Sequence, residues 1–238
     1  MVYWGAVLRR EYKYILPYSQ YIILKHRIRD VLALDRYSIN GGYSVRSVYF
    51  DDIQARAYNE NLTGVSMRKK YRIRIYNGND NVIKLERKFK VLNLTGKNTQ
   101  TISRNTFENI LENREIISDN GDLLTTFLAE KRANVLRPVI TVDYDREAFV
   151  CEASNLRVTF DSNLRAGLGH DIFDAGMQTF DIFHDRLAIL EIKYDNFIPQ
   201  YIRSLLSIND MNPIACSKFT LCNAYRINMF SSKQSVRR

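Results

Sequence analysis

The sequence has 238 residues, 45% of them hydrophobic, and carries 35 Lys and Arg against 26 Asp and Glu, a formal net charge of +9. This length and apolar content suit one large domain or two small ones, and the charge points to an anionic partner: nucleic acid, a phosphate compound or an acidic membrane. Composition argues against a membrane protein, since no stretch approaches the roughly 20 apolar residues of a span, and against a disulfide scaffold, since Cys151, Cys216 and Cys222 are odd in number and read as reduced thiols.

In chain order, the first element is a strand over residues 7–14, with Arg9, Glu11 and Lys13 on one side and Leu8, Tyr12 and Tyr14 mainly on the other. The charges at Arg9, Arg10 and Glu11 cut the opening apolar run too short for a signal peptide, so a soluble, cytoplasmic protein is expected. Pro17 opens a helix to about Leu34, in which Tyr21, Leu24, Ile28, Val31 and Leu32 recur at helical spacing. Gly41-Gly42 marks a turn into a strand over residues 43–51, and Asp51 or Asp52 caps a short helix to about Leu62. Two strands then flank Asn77-Gly78, a hairpin signal. Residues 92–104 read as a polar loop or short irregular strand. Helices follow over 105–114 and 122–135, then a strong strand over 137–150 with a hairpin partner over 155–162. Residues 163–176 read as a long loop. A strand over 187–195, a short helix from Pro199 to about Leu206 and a last helix over 217–227 complete the chain. One domain over 1–230 with a disordered basic tail over 231–238 is the simplest organisation. Strands in consecutive runs favour an antiparallel α+β fold.

The strands share an unusual design. Residues two apart in a strand share a face. Lys70, Arg72 and Arg74 therefore stand together, as do Lys84, Glu86, Lys88 and Lys90; Arg157, Thr159 and Asp161; and Glu191, Lys193 and Asp195. The opposite faces are mainly apolar. Only the strand over 137–150 is mixed, because Tyr144 and Arg146 share a face with Ile140 and Val142. Two architectures fit this pattern. A flat sheet would show its charged face to water, and a closed barrel would turn it inward, with helices covering the apolar outside. Frequent arginines, isolated carboxylates and several helices pull toward the barrel. A cation-lined lumen would stay hydrated or hold an anion, because an unpaired buried cation costs several kcal/mol. Arginine's forked donors suit phosphate oxygens. Few aromatics flank the basic positions, which disfavours single-stranded nucleic acid.

The segments 9-RREYKY-14, 47-SVYFDD-52, 72-RIRIY-76, 84-KLERK-88, 141-TVDYDREAF-149, 157-RVTFD-161, 190-LEIKYD-195 and 217-SKF-219 resemble, in order, the VTC domain. That is the polyphosphate polymerase domain of the vacuolar transporter chaperone complex, one branch of the triphosphate tunnel metalloenzymes that include the CYTH proteins. The resemblance runs over about residues 7–227. It implies a closed, antiparallel eight-stranded β-barrel tunnel with helices packed outside, a divalent Mn²⁺ or Mg²⁺ ion, and transfer of the γ-phosphoryl group of ATP to a growing polyphosphate chain. A tunnel triphosphatase and a non-catalytic polyanion-binding module are the alternatives.

The resemblance assigns roles position by position. Lys13, Arg72, Arg74, Lys88, Arg146 and Lys218 would act on the transferred phosphoryl group. Lys84, Lys97, Tyr144, Arg157, Lys193 and Ser217 would bind substrate, with Lys97 on a segment that aligns poorly. Glu191 would bind the metal; Glu11 and Glu86 either join it or pair with neighbouring lysines. One departure stands out: where CYTH proteins have E-x-E-x-K in the first strand, this chain has Arg9-x-Glu11-x-Lys13, which favours the VTC branch over adenylate cyclase or thiamine-triphosphatase relatives.

Overall fold

A computed structural model describes residues 2–38, 41–118, 121–215 and 217–235. A small pairing of β1 (Val2–Tyr3) with β2 (Ala6–Val7) leads into β3 (Arg9–Leu16). α1 (Tyr18–Arg29) follows Pro17 and stops short of the expected Leu34, which lies in a short strand, β4 (Ala33–Leu34). β5 (Tyr43–Asp51) has its predicted limits. α2 (Arg56–Thr63) is anchored by the two expected aspartates: Asp51 accepts from the backbone N–H of Ala57 and Tyr58, and Asp52 from that of Arg56. These bonds satisfy donors that a helix start leaves without partners.

The predicted hairpin is β6 (Met67–Tyr76) with β7 (Asn79–Val91), joined where Asn77 and Gly78 both take positive φ, as a tight twisted turn requires. The segment read as a polar loop or short irregular strand is a regular nine-residue strand, β8 (Leu94–Ile102), paired with β7 from Val91↔Leu94 to Ile83↔Ile102. α3 (Arg104–Glu112) and α4 (Leu123–Ala133) follow, capped by Ser103 and Asp122. β9 (Arg137–Cys151) pairs with β10 (Leu156–Gly167). β10 continues into the predicted loop because a register shift after Ser162, with Asn163 at φ 51°, lets the strand bend and resume at Arg165. β11 (Thr179–Asp181), β12 (Ala188–Tyr194), α5 (Gln200–Leu205) and α6 (Lys218–Ser235) complete the fold. α6 is helical through Ser235, where a disordered tail was expected from 231; positions 236–238 lie outside the described residues.

The main sheet is antiparallel, in the order β12, β3, β8, β7, β6, β5, β9, and β10 pairs with both β9 and β12. The apolar strand faces are covered by helices. Tyr14, Leu16, Val158, Leu190 and Ile192 pack with Leu24 and Ile28 of α1 and Ile202 of α5. Val48, Phe50, Ile73 and Leu85 pack with Phe107 of α3 and Phe127 of α4. A third cluster lies on the other face of the sheet, where Val45, Val142 and Ile189 meet Phe219 and Cys222 of α6. The N-terminal end of α6 thus sits against the charged side of the strands. Cys151 and Cys222 are free thiols, and Cys216 lies outside the described residues. Among the described residues no helix is long and apolar enough to cross a membrane.

Candidate functional site

The charged strand faces line one cavity of about 1120 Å³. Thirteen lysines and arginines border it against two carboxylates, Glu11 and Glu191, so its wall is strongly positive. Strand pairing sets the layout, since residues opposed in register stand side by side. Lys70, Lys88 and Lys97 form one row across β6, β7 and β8; Tyr49, Arg72 and Glu86 form the next; Ser47, Arg74 and Lys84 the one after. From β12 and β3, Glu191 opposes Lys13 and Lys193 opposes Glu11.

All the sequence-predicted site residues except Glu86 line this cavity. Glu86 stands on the same strand face as Lys84 and Lys88, but its side chain is fully covered. Its two oxygens take Arg72 Nε and Lys97 Nζ, each at 2.6 Å. Arg72 also donates to Tyr49 Oη at 2.8 Å. Arg74, only 5% exposed, has neutral partners, Ser47 Oγ at 2.9 Å and Tyr144 Oη at 3.0 Å. Arg146 grips both oxygens of Asp161, at 2.6 and 2.7 Å, and Lys218 reaches the same carboxylate at 2.5 Å. Arg157 pairs with Asp35 and donates to Tyr43 Oη. Lys84 lies 5.9 Å from the Tyr76 ring centre. Ser217 Oγ accepts from the Thr220 backbone N–H, so it caps α6, and Lys218 beside it is buried rather than on the surface.

Glu11 is shared by Lys13 and Lys88, and Glu191 pairs with Lys193 at 2.6 Å. Burial and Glu191 act to raise the Glu11 pKa, but Lys88, Lys13 and Lys193 outweigh them and hold it at about 2. Burial likewise opposes charge on Glu191, yet Lys193, Lys13 and Lys218 keep it well below the usual carboxylate range. The lysines divide. Burial lowers Lys88 to about 7 and Lys97 to about 8, against the pull of Glu11 and Glu86 respectively. Lys218 is raised, because Asp161 and Glu191 overcome its burial.

As oxygen donors facing the cavity, Glu11 and Glu191 suit a hard divalent cation that keeps waters and takes its other ligands from phosphates. Glu86 does not, since its side chain is fully covered and does not line the cavity. Among the described residues no three His, Cys, Asp or Glu converge as a dedicated metal cage.

The sequence reading had not assigned roles to Lys70, Tyr49, Ser47 and Asp161. Alternation placed Lys70 and Asp161 on charged faces. Nothing in the sequence says that Asp161 supports Arg146 and Lys218, because those three residues come from three separate elements.

The fold is shared with a solved structure. A candidate adenylate cyclase from Bacillus halodurans has the same fold at 12% identity, with a TM-score of 0.52, over 90% of this chain and 95% of that one. A protein from Pyrococcus horikoshii OT3 aligns at 12% identity and TM-score 0.46, over 90% and 97% of the two chains. A candidate adenylate cyclase from Vibrio parahaemolyticus aligns at 10% and 0.42, over 85% and 87%. At these identities the likeness concerns the fold alone. No curated protein matches the chain. The VTC domain family model matches residues 8–227, nearly the whole chain, and the chain belongs to that family.

Proposed function

We propose that this protein is a metal-dependent polyphosphate polymerase that passes the γ-phosphoryl group of ATP to a growing polyphosphate chain. The observation that carries the reading is a cavity with thirteen cations against two carboxylates in a VTC-family chain, with Arg74 buried among hydroxyl groups alone. We infer that the eight mutually paired strands close into a tunnel, because β10 is hydrogen-bonded to both ends of the series that runs from β12 to β9. A linear polyanion fits such a passage in charge and shape.

Phosphoryl transfer asks little covalent chemistry of the protein. It asks for alignment of donor and acceptor and for charge neutralisation on the transferred group. Arg72, Arg74, Arg146 and Arg157 would clamp phosphate oxygens. Lys13, Lys88 and Lys218 would balance charge on donor and acceptor. Lys84, Lys97, Lys193, Tyr144 and Ser217 would hold the remaining phosphates along the path. Asp161 positions Arg146 and Lys218, and Glu86 positions Arg72 and Lys97. Glu191 with Glu11 would hold Mn²⁺ or Mg²⁺, which when bound supplies Lewis-acid neutralisation of phosphate oxygens.

The test is incubation of the protein with ATP and Mn²⁺, with the phosphate products sized on a gel. Long chains and ADP are expected. Orthophosphate without chain growth would replace the reading with a tunnel triphosphatase, and retained polyphosphate binding with no turnover under any divalent ion would replace it with a binding module.

A further inference from the structure

Lys70 is a buried lysine of the wall, unlike the more exposed Lys84 and Lys90 that also lack an ion pair. It lies on the cavity face of β6, two residues before Arg72 and four before Arg74. Its ammonium donates to Asn61 Oδ1 at 3.0 Å and Ser217 Oγ at 3.1 Å, and it sits 5.2 Å from the Phe219 ring centre. None of these groups is negatively charged. Lys13, Lys88, Lys97, Lys193 and Lys218 each have a carboxylate partner; among the described residues Lys70 has none. Its cross-strand neighbour is another lysine, Lys88. Burial drives its pKa well below the ordinary lysine value, and Lys88, Lys13 and Arg72 add to that effect against Glu11. A buried amine held by α2 and α6 in this way is positioned for a negative charge that the protein itself does not provide.

Arg74 is its counterpart, also buried with only neutral partners. Four residues of strand separate the two by about 13 Å. A single phosphate cannot touch both; a chain can. Lys70 also lines a second opening of about 90 Å³, bordered by Arg68, Lys90 and Ile214, that shares Glu11, Lys13, Lys88 and Ser217 with the main cavity. It therefore stands between the main cavity and this opening, on the far side of Arg72 from Arg74.

We propose that Lys70 is a specificity-determining residue of the cavity, binding the distal units of a phosphate chain and so favouring long polyphosphate over triphosphate. This rests on the polyphosphate reading above and extends it to the basis of chain-length preference. A long chain engages Arg74 and Lys70 together, whereas a triphosphate held at the central arginines leaves Lys70 out of contact.

The test is equilibrium binding, by calorimetry without nucleotide or metal, of tripolyphosphate and of long-chain polyphosphate to the wild type, Lys70→Met and Lys70→Gln. Met keeps the volume, and Gln keeps hydrogen bonds to Asn61 and Ser217 without the charge. Both variants should lose about tenfold or more in affinity for the long chain, the scale of one charged hydrogen bond, with tripolyphosphate affinity nearly unchanged. Equal losses for the two ligands, or no loss for either, would overturn the assignment of Lys70. Failure of the wild type to bind either ligand would overturn this inference and the polyphosphate reading together. Failure to make chains from ATP with the Lys70-dependent length preference intact would remove only the polymerase reading.

Discussion

Arg74 and Asp161 are both buried and both charged, yet their substitution should have opposite consequences. Arg74 has only the hydroxyls of Ser47 and Tyr144 as partners, and its like-charged neighbour Arg72 opposes its charge. In Arg74→Ala, turnover is expected to fall about 100- to 1000-fold, the cost of one positioned donor to a developing charge, while the melting temperature changes little. Asp161 supports two buried cations, Arg146 and Lys218. In Asp161→Asn Arg146 loses its carboxylate and Lys218 keeps only Glu191, at 3.7 Å, and a loss of about 3–5 kcal/mol is expected in denaturant unfolding. Wild-type turnover in the first variant, or wild-type stability in the second, would reverse the division between ligand-binding and supporting charges. Lys88 adds a pH dependence. With burial holding its empty-cavity value at about 7, below the usual 10.5, its ammonium is fully present only below that pH. Affinity for long-chain polyphosphate, which reaches the row of Lys70 and Lys88, should therefore be highest below about pH 7 and decline as pH rises through it. The stability of the empty protein runs the other way: from pH 7 to 10.5 the unfolded chain holds a proton that the folded one lacks, so Lys88 contributes stability that grows with pH. Titrations of affinity and of unfolding free energy across this window check both signs.

The element most exposed to disruption is β8. Gly96 lies against Phe89 and Leu8, and a Cβ there would stand 2.4 Å from the Phe89 ring and 2.9 Å from Leu8 Cδ2. Both neighbours belong to the small apolar cluster beside β1 and β2. Gly96→Ala should cost about 1–3 kcal/mol by overpacking, with activity reduced further because Lys97 is the next residue. An unchanged denaturant midpoint would show that Phe89 moves aside freely. Register between β3 and β8 is only Arg9↔Thr95 and Arg10↔Leu94, so little other pairing holds this seam. β8 was also the element least legible in the sequence. LTGKNTQTI is polar between its end residues, with a glycine at its third position; its strand state comes from pairing with β7, a contact that local pattern does not contain. β6, β7 and β12 were legible because an apolar and a charged face alternate over their central residues, Tyr71–Ile75, Ile83–Glu86 and Leu190–Lys193. β9 looked irregular for a reason that only the tertiary structure supplies: Arg146 and Tyr144 face the cavity, while Val142 on the same face packs with α6. The candidate site was legible as a set of basic faces, and the family resemblance extended it to particular positions. That Glu11 and Glu86 pair with lysines was one of two readings the sequence left open; the particular pairs Glu86 with Lys97, and Asp161 with Lys218, meet only through folding.

At the scale of the molecule, the fold gathers like charges from strands spread along nearly the whole sequence and orients them toward one space. The helices bury the other faces of those strands, so apolar packing on one face opposes electrostatic repulsion on the other. Glu11, Glu86, Asp161 and Glu191 relieve part of that repulsion, and the rest persists while the cavity is empty. A bound polyanion should relieve it, so ligand and stability are linked. At a tripolyphosphate concentration one hundredfold above its dissociation constant, binding to the folded state alone contributes about 2.7 kcal/mol. For a chain of this size that corresponds to a rise in melting temperature of about 5–10 °C. Sulfate at matched ionic strength should give a much smaller rise, because it screens the cations without spanning the rows that β6, β7 and β8 present. Thermal melts with the two anions decide the point. Equal shifts would mean that the wall responds to ionic strength alone, and a shift confined to the phosphate chain would mean that its cations act together on one extended ligand.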